Sequence, residues 1–111
     1  MNKKELFWVK YTIDNIEEAK KDEDWTTRLE FYRVLGFTPE AKKDDYWFIR
    51  LEFYRVLGFT EEAKKDKYFS VRREAYRVLG YTEEALKDED IKIRKEAELY
   101  FKIQEARGLK K

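Results

Sequence analysis

The feature that most constrains this chain is tandem self-similarity. Arg28 to Tyr46 reads RLEFYRVLGFTPEAKKDDY and Arg50 to Tyr68 reads RLEFYRVLGFTEEAKKDKY, offset by 22 positions and differing only at Pro39/Glu61 and Asp45/Lys67. A third copy, Arg72 to Asp90, reads RREAYRVLGYTEEALKDED. Arg94-Lys95-Glu96-Ala97 opens a fourth, and Glu17-Glu18-Ala19-Lys20-Lys21-Asp22 matches the end of an earlier one. A unit this small cannot bury its own apolar face, so a short fixed period selects an array in which neighbours cover one another. The 111 residues are therefore read as one α-solenoid domain of about five units, near 1–22, 23–44, 45–66, 67–88 and 89–111, the first and last serving as caps.

Each unit carries two helix signals. Trp25 to Leu35 is built of good helix formers and stops at Gly36, a residue type that accepts the left-handed conformation closing a helix; Gly58 and Gly80 repeat it. Thr38-Pro39-Glu40 then opens a second helix, with threonine placed to cap, proline at the first helical position and glutamate at the positive helix end. That helix, Pro39 to about Lys43, is a turn or so long; both α and 3₁₀ geometry fit it, and packing must hold it because nucleation is costly. The expected class is all-α, long helices alternating with very short ones. The end units read as polar and lengthened: Asn2 to Ile13 carries Lys3, Lys4, Glu5 and Lys10, and in the last helix, about Ile91 to Arg107, Lys102 replaces the glycine.

On a wheel of about 100° per residue, the long helix places Trp25, Leu29, Phe31, Tyr32, Val34 and Leu35 on an arc wider than half the circumference, which implies cover on both flanks. Arg28 falls inside that arc, as do Arg50, Arg72 and Arg94 in their units. Six residues before each stands an aspartate: Asp22, Asp44, Asp66 and Asp88. A guanidinium out of water needs a carboxylate, so the four Asp and four Arg are expected to form a structural ladder registering one unit on the next.

Composition removes whole classes of chemistry. There is no cysteine and no histidine, so disulfides, thiol nucleophiles, imidazole bases and common zinc sites are excluded. Lysine plus arginine number 25 against 24 acidic residues, net +1, which gives no bulk attraction to nucleic acid or membrane. No apolar run is long enough to span a bilayer and no signal-peptide core follows Met1; the expected address is cytoplasmic. The acidic clusters Asp22-Glu23-Asp24, Asp44-Asp45 and Asp88-Glu89-Asp90 lie just before long helices, where carboxylates cap. No phosphate loop or activated nucleophile is present. Neither enzyme activity, metal nor cofactor is expected.

The pattern Asp66, then Val71-Arg72-Arg73-Glu74-Ala75, resembles HEAT-type α-solenoids, while the 22-residue period with a very short second helix is similar to the leucine-rich-repeat variant, whose units alternate α and 3₁₀ helices. The resemblance covers nearly the whole chain. It implies a right-handed superhelix that binds proteins, or less often nucleic acids, on a curved face. The units are shorter than HEAT repeats and closed by glycine, and without cysteine no redox role carries over.

Three surfaces follow. Thr26, Glu30 and Arg33, with Phe48, Glu52 and Arg55, then Ser70, Glu74 and Arg77, and last Lys92 and Glu96, form a polar row in which Glu and Arg three apart also pair. Phe48 breaks the row as an expected exposed ring, and beside it lies an edge of Trp25, Leu29, Trp47 and Leu51; Arg73 and Lys95 make the same edge basic further on. Trp25, Leu29, Arg33, Trp47, Phe48, Leu51, Arg55 and Arg77 are thus the expected contacts for a protein partner, with weak self-association through the same edge as an alternative. A lysine row, Lys20, Lys21, Lys42, Lys43, Lys64, Lys65 and Lys87, offers a less favoured reading as a phosphate-backbone surface, because Glu residues three or four positions earlier can neutralise it.

Overall fold

A computed structural model describes residues 16–108. Their elements are α1 (Ile16–Ala19), α2 (Trp25–Leu35), η1 (Pro39–Lys43), α3 (Trp47–Leu57), η2 (Glu61–Lys65), α4 (Phe69–Leu79), η3 (Glu83–Lys87) and α5 (Ile91–Ala106), where η denotes a 3₁₀ helix. The described residues are all-helical, with no strand. The expected first helix, Asn2 to Ile13, lies outside them. The chain falls into two compact units, Met1–Gly58 and Phe59–Lys111, and each is taken by itself below.

Helix ends follow from particular residues. Gly36, Gly58 and Gly80 have φ of 105°, 107° and 105° with ψ of 145°, 140° and 144°. This corrects the expected left-handed helical closure: φ is positive, but ψ is extended, a region essentially confined to glycine. Each glycine N–H still donates to the tyrosine carbonyl four residues back, at 2.9, 2.8 and 2.8 Å, so the α-helical hydrogen-bond pattern runs as far as the glycine. α5 has Lys102 at the glycine position and runs on to Ala106.

The short helices are 3₁₀, which settles what the sequence left open. Ala41 N–H donates to the Thr38 carbonyl at 2.9 Å and Asp44 N–H to Ala41 at 3.2 Å, both spanning three residues. The threonine hydroxyls at 38, 60 and 82 make no capping hydrogen bond, contrary to expectation; the carbonyl closes the turn instead. Ala41, Ala63 and Ala85 are fully buried, because a methyl group lets the 3₁₀ backbone approach a long helix closely. In the first unit α3 packs on η1; in the second, α4 packs on η2 and α5 on η3.

Acidic residues begin the long helices. Asp24 accepts from Thr26 N–H at 3.0 Å and caps α2, and Asp90 accepts from Lys92 N–H at 2.9 Å and caps α5. Tyr46 and Tyr68 occupy the cap positions of α3 and α4, and there the preceding Asp44 and Asp66 accept the tyrosine N–H at 2.9 Å. The first unit buries Leu29, Phe31, Tyr32, Ile49, Leu51, Phe53 and Tyr54; the second buries Val71, Ala75, Tyr76, Ile93 and Ala97. In each unit a ring placed just past a glycine stacks on a core tyrosine: Phe37 on Tyr32 at 5.4 Å, Tyr81 on Tyr76 at 5.9 Å.

No atom lies within 4 Å of a Cβ built at Gly80, so substitution there is opposed by backbone conformation alone. Gly80→Ala is expected to lower stability by about 1–3 kcal/mol, measured by urea denaturation against the wild-type chain.

Candidate functional site

The arginines inside the apolar arc are the most tightly held groups in either unit. In the first, Arg28 donates through Nε and Nη2 to the two carboxylate oxygens of Asp44, both at 2.9 Å, and through Nη1 to the Asp22 carbonyl at 2.6 Å. In the second, Arg72 makes the same fork to Asp88 at 3.0 Å and reaches the Asp66 carbonyl at 2.9 Å. Arg50 is buried and donates to the carbonyls of Asp44 and Asp45 at 2.7 and 3.1 Å, and Arg94 to those of Asp88 and Glu89 at 2.6 and 2.9 Å. The six-residue spacing therefore joins guanidinium to backbone carbonyl, and the carboxylate partner lies sixteen residues later. This corrects the pairing the spacing suggested: an Nη1 stretched back toward the helix start meets the turn before it meets any side chain.

Asp44 and Asp88 are also fixed by the turns they begin, accepting the N–H of Tyr46 at 2.9 Å and of Asp90 at 2.8 Å. Their side chains are only 6% exposed. The carboxylate hydrogen bond holds the Arg28 and Arg72 pKa above the ordinary value. With forks and N–H donors in place, these groups have the contacts of a structural register. Among the described residues no group of three or more acidic side chains is placed to hold a metal ion.

A second set of pairs crosses the polar face at an offset of nineteen. Arg33 donates to Glu52 at 2.9 Å in the first unit, where Arg55 also lies 3.5 Å from Glu52. In the second unit Glu96 accepts from Arg73 through Nε at 2.7 Å, from Arg77 at 3.1 Å and from the Tyr81 hydroxyl at 2.6 Å. These donors, Arg73 foremost, hold the Glu96 carboxyl down at about 2; burial, then the Glu96 hydrogen bond, pushes the Tyr81 phenol up. Arg33, Arg55 and Arg77 nonetheless remain about half exposed. Arg73, expected as part of a basic edge, is drawn into the Glu96 cluster, while Lys95 stays exposed.

The expected aromatic edge is packed differently. Trp25 stacks on Tyr46 at 4.4 Å and meets Phe48 edge-on at 6.2 Å, and Trp47 meets Phe48 at 5.6 Å. Phe48 is thus a half-buried member of a ring cluster and not the exposed ring expected. Leu29 and Leu51 are buried, which removes them from the surface; both belong to the core. What stands out instead is the last turn of each long helix: Leu35 in the first, Val56 (61% exposed) and Leu57 in the next, Val78 (59%) and Leu79 in the third. The wheel places this turn in the covered arc. Burial, however, ends at Tyr32, Tyr54 and Tyr76, so cover stops before the helix does. The sequence signal for it is the repeated Arg-Val-Leu-Gly, aliphatics pressed against the helix stop.

The lysine row splits in two. Lys20 pairs with Glu40 at 2.7 Å and lies 5.5 Å from the Phe31 ring centre. Lys64, buried, pairs with Glu61 at 2.9 Å and lies 5.3 Å from Tyr76. Lys42 is half-buried, while Lys21, Lys43, Lys65 and Lys87 are exposed. A polar cleft of about 260 Å³ in the first unit is lined by Lys20, Lys21, Arg28 and Lys43 against four acidic residues, which leaves no excess charge. The second unit has a more apolar cleft of about 350 Å³ beside Arg77, Tyr81 and Glu96, floored by Leu99, Tyr100 and Ile103. No helix among the described residues is long and apolar enough to cross a membrane. Comparison with protein-family models, curated proteins and solved structures gives no match.

Truncation of Arg72 strands the Asp88 carboxylate, so Arg72→Ala is expected to cost about 3 kcal/mol, read by chemical denaturation. The depressed Glu96 pKa gives stability that is present above its ordinary value of 4.5 and lost as pH falls toward about 2. Glu96→Gln should therefore flatten the stability–pH curve across that interval; an unchanged acid limb would remove Glu96 from this role.

Proposed function

We propose that the chain is a non-catalytic protein-interaction scaffold, a single right-handed α-solenoid of the HEAT-like or leucine-rich-repeat-variant kind that works in the cytoplasm through one extended face. The observation that carries this reading is the recurrence of exposed aliphatics beside exposed arginines at the end of successive long helices: Leu35 with Arg33, Val56 and Leu57 with Arg55, Val78 and Leu79 with Arg77. Isolated surface leucines are ordinary, but the same apolar turn repeated with the sequence period is a surface built to be covered. Arginine is enriched among interface anchors, and the aliphatic area beside it is apolar surface that a partner can bury. The partner surface accordingly moves from Leu29 and Leu51 to these last turns, with Arg33, Arg55 and Arg77 retained; Trp25, Trp47 and Phe48 act as the packed support of the first unit.

The phosphate-backbone alternative is weakened by the ion pairs and ring contacts of Lys20 and Lys64. Affinity for a polynucleotide, if this alternative held, would fall linearly on a log–log plot against salt.

The double variant Val56→Lys, Val78→Lys tests the scaffold. Both positions are exposed, so its stability is expected to stay within about 0.5 kcal/mol of wild type. Photo-cross-linking from positions 56 and 78 should trap a protein partner whose binding, measured by isothermal calorimetry, the double variant abolishes. Cross-links confined to the 3₁₀ helices, or undiminished affinity, would refute the assignment.

A further inference from the structure

Arg28 and Arg72 use the guanidinium in full: Nη1 reaches back to a carbonyl of the preceding turn, and Nε with Nη2 grip a carboxylate sixteen residues on. Arg94 stands at the same register position and repeats only the first half. Its Nη1 donates to the Asp88 and Glu89 carbonyls at 2.6 and 2.9 Å, whereas Nε and Nη2 have no partner among the described residues. The reason lies in the sequence. Lys102 stands where a glycine ends the other long helices, α5 runs on to Ala106, and the residue sixteen after Arg94 is Lys110. A half-buried guanidinium is thus anchored by one edge and presents the other.

The first unit shows what that edge takes. Asp44 fills the fork of Arg28 and accepts the Tyr46 N–H at 2.9 Å, and the Tyr46 ring lies 4.4 Å from Trp25, three residues before Arg28. One Asp-x-aromatic turn therefore meets an arginine with its carboxylate and an apolar side chain one helical turn earlier with its ring. On α5 the residue three before Arg94 is Ile91, 56% exposed, and that spacing puts the two on one helix face. We propose that Arg94 and Ile91 form a docking site for an Asp-x-aromatic turn of a protein partner. Asp44 and Asp88 keep their carboxylates in their own forks, 6% exposed, so a second copy does not offer them. Glu98, one turn beyond Arg94, is exposed and pairs with Lys95 at 3.9 Å. Its charge opposes a dianionic phosphate more than a single carboxylate held at two points. The site shares no residue with the last-turn aliphatics of the scaffold reading, so either can fail alone.

Nuclear magnetic resonance of the arginine Nε–H groups reads the fork directly. In the free chain the Arg28 and Arg72 signals should be protected from solvent exchange and the Arg94 signal should not. The probe is an acetylated and amidated peptide of sequence TPEAKKDDYW, that of residues 38–47. Titrated into the millimolar range, it should shift the Arg94 Nε–H signal and protect it. Asp44→Asn in the peptide leaves the protein untouched and should weaken binding about tenfold or more. Arg94→Lys, which keeps the charge and loses the fork, should weaken it as much, and Ile91→Ser, at an exposed position, severalfold. Protection of Arg94 in the free chain, whether at all concentrations or on raising the protein concentration alone, would show the fork closed by the chain itself or by a second copy and overturn the proposal. So would the absence of a shift, a shift that persists with the asparagine peptide, or inorganic phosphate binding more tightly than the peptide.

Discussion

The fork between arginine and aspartate is the contact on which the rest of each unit depends. A five-residue 3₁₀ helix has no stability of its own, and the alanine it buries offers little apolar area. What fixes its end is Asp44 or Asp88, whose carboxylate binds a guanidinium from the preceding long helix while its own carbonyl accepts from the following one. One residue thus ties together two long helices and the turn between them. The forked geometry matters because burying either charge singly would cost several kcal/mol, so an arginine out of register finds no equivalent site. The contact stabilises less by its net strength than by making every other arrangement expensive.

A chain registered this way can leave the ends of its helices uncovered. Full burial ends with Tyr32, Tyr54 and Tyr76, and the Arg-Val-Leu turn that follows places no residue in the buried core. If its only task were to extend the helix toward the glycine, alanine or glutamine would serve with better solubility and equal or better propensity. Valine is a poorer helix former than either, which makes its repeated exposure at 56 and 78 a cost without folding benefit. The same reasoning treats the offset-nineteen pairs as positioning: Glu52 and Glu96 hold the arginines at a fixed height on the surface without withdrawing them from solvent.

Much of this was legible from residue order. The 22-residue period, the span of the long helices from tryptophan or phenylalanine to leucine, and the choice of aspartate as partner for a buried arginine all follow from local rules. Which aspartate was not legible, since six residues along the chain and sixteen across a turn are both within reach of a guanidinium, and only the three-dimensional path places a carbonyl at one and a carboxylate at the other. The helical wheel failed at Leu35, Val56 and Val78 because it assigns one environment to a whole helix, whereas cover here is limited along the axis. It failed in the opposite sense at Phe48, whose angle is polar but whose neighbours Trp25 and Trp47 meet its ring and leave it half-buried.

The two units reach stability by different balances, although their repeats are close copies. Phe31 and Phe53 supply buried rings in the first; the same register holds Ala75 and Ala97 in the second. The lost ring volume coincides with Leu51 giving way to Arg73, and Arg73 is the first donor to Glu96. Tyr81 replaces Phe59 in the repeat and brings the hydroxyl that completes the cluster. The exchanges at Arg73 and Tyr81 put directed hydrogen bonds to Glu96 in place of non-directional apolar contact, and a hydrogen-bonded carboxylate is sensitive to protons in a way a phenylalanine is not. Acid should therefore loosen the second unit through Glu96, on which Arg73, Arg77 and the Tyr81 hydroxyl converge.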